Sequence, residues 1–213
     1  MGASMGHRSG PLAGVKNQAA VTRAKFLRNA LAGGGVLLLG GLPILSRGPR
    51  SAGAIQTPQM DKEILNFALL LEYLEDAFYR DALENGALSG QLLRFAEEVG
   101  RHEAAHVELL RRALGSDARA RPTFDFGNAT ADPQEFSSSA VLIEETGTAA
   151  YIGQGANLSS AMAVTAGRIA SVEARHTAWI RDIAGREPAP HAADPSMTKR
   201  EVTAAIRRTG FLT

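Results

Sequence analysis

Residues His102-Glu103-Ala104-Ala105-His106 spell H-E-x-x-H. On a helix that pattern can hold zinc between two histidines, with the glutamate as general base of a metalloprotease. The longer form of the motif needs a glycine and a third histidine downstream, but Leu109 and Arg112 stand at those positions. A second segment accounts for the first in another way. Glu173-Ala174-Arg175-His176 repeats E-x-x-H, and the residue before it is Val172. The shared unit is therefore E-x-x-H. His102 is the extra residue, expected to face water.

Side chains three residues apart on a helix differ by roughly 60° around the axis and about 4.5 Å along it. Glu103 and His106 can thus reach one metal together, as can Glu173 and His176. Each pair needs carboxylates from other helices. Glu72 in "LLLEYLEDAFY" and Glu144 in "VLIEETGTAAY" lie in apolar stretches, where a lone buried carboxylate is costly without a partner or metal. Spacing favours these two. Glu72 is followed seven residues later by Tyr79 and 31 residues later by Glu103; Glu144 is followed seven later by Tyr151 and 29 later by Glu173. Glu75 and Glu145 are the rivals within their own segments. Two antiparallel hairpins related by a pseudo-two-fold would bring four Glu and two His to one point, the ligand set of a carboxylate-bridged di-metal centre. For one pair taken singly, a solvated helix face is the better reading; the doubled set favours metal. Tyr79 and Tyr151 are the candidate catalytic residues, as hydrogen-bond donors or radical-prone groups beside the metals, with plain core tyrosines as the alternative. Gly147 costs about 1 kcal/mol in a helix relative to Ala and is expected to serve close helix packing.

These residues need helices to position them, and the chain from Met60 onward supplies the pattern. Ile64, Phe67, Leu70, Leu71, Leu74, Phe78 and Leu83 recur at helical spacing, and Asn85-Gly86 stops the run. A second helix is expected in residues 88–115, a third in 137–155 and a fourth in 158–185. Pro122, Gly127, Asn128 and Pro133 break the pattern between the second and third. Thr198 and Glu201 mark a capping box for a short fifth helix within 197–211. No alternating run is long enough for a strand. Two hairpins joined by about 20 residues predict an all-α four-helix bundle with one long crossover.

The 213 residues, 45% hydrophobic, suffice for one domain with a sizeable core and an added terminal segment. There is no Cys, which excludes disulfides and thiolate metal sites. Charge is segregated. Residues 1–60 carry seven of the 23 basic residues and no acid, leaving 16 basic against 22 acidic in the remainder, a net of −6. Such a domain has no overall attraction for nucleic acid or an anionic membrane. A basic stretch, an apolar run from about Ala30 to Leu45 and small residues at Ala52 and Ala54 have the build of a secretory signal over residues 1–54, cleaved after Ala54. An uncleaved anchor is the alternative, though the run is short for a ~20-residue span and is interrupted by Pro43. The expected location is outside the cytoplasm, periplasmic or extracellular.

The signal resembles the twin-arginine class through Thr22-Arg23-Ala24-Lys25-Phe26-Leu27-Arg28, with Ala24 where the second arginine stands in that class. From about Met60 to Gly185, the phrases "LNFALLLEYLEDAFY" and "EETGTAAYIGQ" and the paired E-x-x-H resemble a ferritin-like domain, in particular those of exported bacterial ferritin-like proteins, a group that includes desiccation-related proteins. The resemblance implies that Glu72 with His106 holds one metal and Glu144 with His176 the other, with Glu103 and Glu173 bridging. It implies two iron ions, or manganese, and ferroxidase chemistry or consumption of oxygen or peroxide in stress protection. A non-enzymatic protective role is the alternative, and self-association into a homo-oligomer is left open. Relatives often place Asp directly before the E-x-x-H glutamate to support a ligand His; here those positions hold His102 and Val172.

Overall fold

The computed structural model describes residues 57–213; the leader expected over residues 1–54 lies outside the described residues. The first helix, α1, spans Pro58–Asn85. The Thr57 side chain accepts from the Met60 N–H at 3.2 Å, and Gly86 closes the helix with φ 66°, the left-handed conformation glycine adopts without strain. Helix α2 spans Gly90–Leu114, and a short α3 spans Asn128–Ala131. Helix α4 spans Pro133–Gly155 and begins four residues before the expected start. Pro133 does not break it: proline is well suited to a first turn, where its missing N–H costs nothing. Asp132 caps that turn, accepting from the Gln134 and Glu135 N–H groups at 2.9 Å, and Phe136 is fully buried. Helix α5 spans Ser160–Ile183, and α6 spans Lys199–Thr209 with the Thr198–Glu201 capping box formed.

Helix α1 packs along α2 and α4 along α5; the two hairpins meet through α1–α4 and α2–α5. The result is an all-helical four-helix bundle with one long crossover. Among the described residues the β-structure is a single bridge between Phe124 and Leu212. The crossover is tied back to α1. The Asn66 side chain donates to the Asp117 carbonyl at 3.0 Å and accepts from the Arg119 N–H at 2.8 Å, and Arg121 pairs with Asp76. Segment 186–213 also packs on the bundle. Val202, Ile206 and Phe211 share a core cluster with Phe78, Phe136 and Ile180, and the Met197 N–H donates to the Ala149 carbonyl at 2.9 Å. No helix among the described residues is long and apolar enough to cross a membrane.

Along α2, Phe95, Ala96 and Val99 belong to one apolar cluster and Val107, Leu110 and Leu114 to another. Glu103 and His106 lie between them. Along α5, Glu173 and His176 lie in the same way between Ile169 and Ile180. The acids are thus held mid-bundle by apolar packing on both sides.

Candidate metal centre

Four helices each present acids to one point. Glu72 from α1, Glu103 and His106 from α2, Glu144 from α4, and Glu173 and His176 from α5 are all buried. Their donor atoms form two groups, each with all atoms within 4.8 Å of one another: Glu72, Glu103, His106 and Glu173; and Glu103, Glu144, Glu173 and His176. Glu103 and Glu173 belong to both. His106 Nδ1 lies 3.2 Å from Glu72 Oε2, 2.9 Å from Glu103 Oε2 and 3.2 Å from Glu173 Oε1. His176 Nδ1 lies 3.0 Å from Glu103 Oε1, 3.5 Å from Glu144 Oε2 and 3.8 Å from Glu173 Oε1. Glu103 therefore turns one oxygen to each histidine.

The two tyrosines cross between the hairpins. Tyr79 of α1 donates to Glu144 of α4, and Tyr151 of α4 donates to Glu72 of α1. Each fixes the carboxylate of the opposite hairpin. Gly100 of α2 permits the approach of Tyr79, since a Cβ there would stand 3.1 Å from Tyr79 Cβ. On α4, Glu144 is the inward acid; Glu145 sits at the surface, paired with Arg181. On α1 both acids point inward, for Glu75 is buried as fully as Glu72.

The electrostatics of this cluster are those of charges removed from water. Burial raises Glu72 to about 7, with His106 opposing. Burial raises Glu144, again against a histidine, His176. Burial and then the charge of Glu103 push Glu173 well up. Glu103 goes the other way: burial works to raise it, but the two imidazoles outweigh that and hold it at about 2. Burial would lower both histidines, yet the surrounding carboxylates lift His176 to about 10 and His106 further. Tyr79 and Tyr151 are raised by burial and by Glu144 and Glu72 respectively, so both hold their protons at neutral pH. Crowded carboxylates of this kind share protons unless a cation replaces them.

The donor set fits a cation. Glu103 Oε1, Glu144 Oε2, both Glu173 oxygens and His176 Nδ1 are buried without a hydrogen bond of good geometry. Buried polar atoms left unmatched in this way are costly, and here they face a common point. Carboxylate oxygen with imidazole nitrogen suits divalent first-row metals.

A family model for the ferritin-like domain matches residues 60–186. The chain belongs to the ferritin-like family. No curated protein matches it. In this ferritin-like domain two positions differ from the expectations above. His102 does not simply face water: it is half-buried, its ring stacks on His176 with centroids 5.1 Å apart, and its Nδ1 lies 2.8 Å from His176 Nε2. Its Nε2 reaches Glu98 Oε1 at 3.3 Å. Spacing within α2 could not reveal this, because the partner is 74 residues away. Gly147 was expected to admit a neighbouring helix; what approaches it is the side chain of Glu75.

Proposed function

We propose that this exported ferritin-like protein binds two metal ions, iron with manganese as the alternative, in a carboxylate-bridged centre that reacts with oxygen or peroxide. The observation that carries the reading is the pair of ligand groups sharing Glu103 and Glu173. Glu72 and His106 complete one ion's set, and Glu144 and His176 the other's. Four carboxylates match the charge of two divalent cations, so the filled core is close to neutral, as burial demands. When bound, a redox-active pair of this kind supplies electrons to an oxidant.

The chain's own residues prepare that chemistry. Glu103, with one oxygen toward each histidine, would be a ligand shared by both ions. Tyr79 and Tyr151 hold Glu144 and Glu72 by hydrogen bonds, which fixes the direction of their free oxygens. His102 orients His176 so that Nδ1 faces the acids and Nε2 faces away. The apolar packing on both sides keeps bulk water from the cluster. Export rests on the basic, apolar and small-residue order of residues 1–54, and N-terminal sequencing of the exported protein should begin after Ala54.

The test is direct. The purified chain, loaded with ferrous iron without oxygen, should take up two ions and consume oxygen when air is admitted. Glu173→Ala should do neither. Two ions bound but oxidised no faster than in buffer would overturn the redox reading and leave the non-enzymatic protective role. No bound ion would overturn the centre itself.

A further inference from the structure

Tyr79 and Tyr151 hold matching places in the two hairpins, yet their surroundings differ. The Tyr79 ring is walled by Phe95 and Phe136, with centroids 5.8 and 6.1 Å away. Phe95 stands eight residues before Glu103 on α2, and Phe136 eight before Glu144 on α4. The corresponding places beside Tyr151 are eight before Glu173 on α5 and eight before Glu72 on α1. They hold Thr165 and Ile64. Neither supplies a ring, and a cavity lies there between α1, α4 and α5. Ile64, Ala68, Leu71, Ala150, Tyr151 and Ala166 are among its walls.

The cavity has about 20 Å3 of free space, above the roughly 10–15 Å3 that one water-sized molecule needs. Its surface is almost wholly apolar. A buried water requires about two to four polar partners, and the Tyr151 hydroxyl is already committed to Glu72. Such a space stays dry and takes up apolar gases. Its position is equally specific. Leu71, which precedes Glu72 in the chain, and Tyr151, which donates to Glu72, form one side. Gln154 and Gly155, both partly exposed, form another.

We propose that this cavity is a dioxygen site, through which the gas passes from the Gln154–Gly155 side toward Glu72, and that dioxygen, not peroxide, is the oxidant it serves. Dioxygen has no dipole and no hydrogen-bonding group, so it enters an apolar space at little cost. Peroxide would bring two unpaired hydroxyl groups into it. The proposal rests on the reading of the cluster as a redox-active metal centre. It makes the Tyr151 side of that centre the open one and the ring-filled Tyr79 side the closed one.

The first measurement needs no metal. Dissolved dioxygen is paramagnetic and speeds the relaxation of methyl protons near it. In NMR spectra of the metal-free full chain under oxygen, this enhancement should be roughly twofold or more greater at Leu71, Ala150 and Ala166 than at Val107 and Leu114, which are no more deeply buried. Equal enhancement would overturn the cavity as a dioxygen site. Ile64→Phe, which copies the ring of the closed side, should remove the excess. Loaded with ferrous iron, the same variant should oxidise it at least about threefold more slowly at low dioxygen and at the wild-type rate at saturating dioxygen. Its two-ion stoichiometry and its rate with peroxide should not change. Because a larger side chain can disturb packing, Ala68→Val is the second filling variant and should show the same split. Equal slowing with both oxidants, or wild-type dioxygen dependence in both variants, would overturn the entry. A chain that oxidises iron without the relaxation excess would overturn the cavity and spare the centre. A chain that shows the excess but binds no iron would overturn the centre and the entry with it.

Discussion

The two halves of the cluster use the same residue types but are backed differently. On one side His106 meets Glu72, Glu103 and Glu173 within 3.2 Å. On the other, His176 meets Glu103 at 3.0 Å and Glu144 and Glu173 at 3.5 and 3.8 Å. His176 is held from behind by His102. The matching position before Glu173 is Val172, whose side chain cannot hydrogen-bond. A repeated motif therefore sets the ligand types, while the residue beside it sets how firmly each histidine is aimed. Burial alone lowers His102, and the neighbouring His176 lowers it further, so it meets His176 as a neutral ring at neutral pH.

The sharpest way to break the comparison is to remove what the halves share. Glu103→Ala or Glu173→Ala should abolish tight binding of both ions, whereas Glu72→Ala or Glu144→Ala should abolish one. Metal analysis after dialysis reads the stoichiometry. Loss of only one ion in both bridging variants would mean that the halves are separate sites.

Removing the metal exposes the protons that replace it. Glu72, raised to about 7 from the ordinary 4.5, keeps in the folded state a proton that the unfolded chain releases, so its contribution is lost as pH rises from 4.5 to 7. His176, raised from 6.5 to about 10, adds stability that is full below 6.5 and lost on the way to 10. Glu103, lowered to about 2, contributes above 4.5 and loses its contribution as pH falls toward 2. These three groups place the stability maximum of the metal-free bundle near pH 4.5, with a decline toward alkaline pH. Metal should remove that decline, because the ion takes the place of the protons. Thermal melts with and without chelator measure it, and a metal-free melting temperature that climbs from pH 5 to 9 would contradict it.

The asymmetry itself is tested at His102. His102→Ala should weaken one ion about 10–100-fold, the range for loss of a residue that orients a ligand. Val172→Ala should leave both affinities near wild type. Calorimetry resolves the two affinities, and equal weakening of both ions would remove the distinction between the halves.

An effect of similar size, on the folded chain and not on the ions, is expected at the tyrosines. Tyr79→Phe and Tyr151→Phe each leave a buried carboxyl oxygen without its donor, at about 1–3 kcal/mol of metal-free stability. Denaturant unfolding should show similar losses for the two, since each serves the opposite hairpin in the same way.

The E-x-x-H pairs, the helical runs that carry them and the Thr198–Glu201 cap are relations between residues three or four apart, and the chain alone determined them. A helix repeats every 3.6 residues, so such neighbours meet wherever the helix lies. The start of α4 was misplaced because Pro133 reads as a breaker until Asp132 and the buried Phe136 show it opening a turn. Which acid of Glu144 and Glu145 turns inward was a matter of helix rotation, set by packing against the other hairpin. So were the inward turn of Glu75 beside Glu72, its approach to Gly147, and the meeting of His102 with His176. Each of these joins residues about 65 to 80 positions apart, or depends on contacts that do. No local period records them, because they exist only once apolar packing brings the two hairpins together.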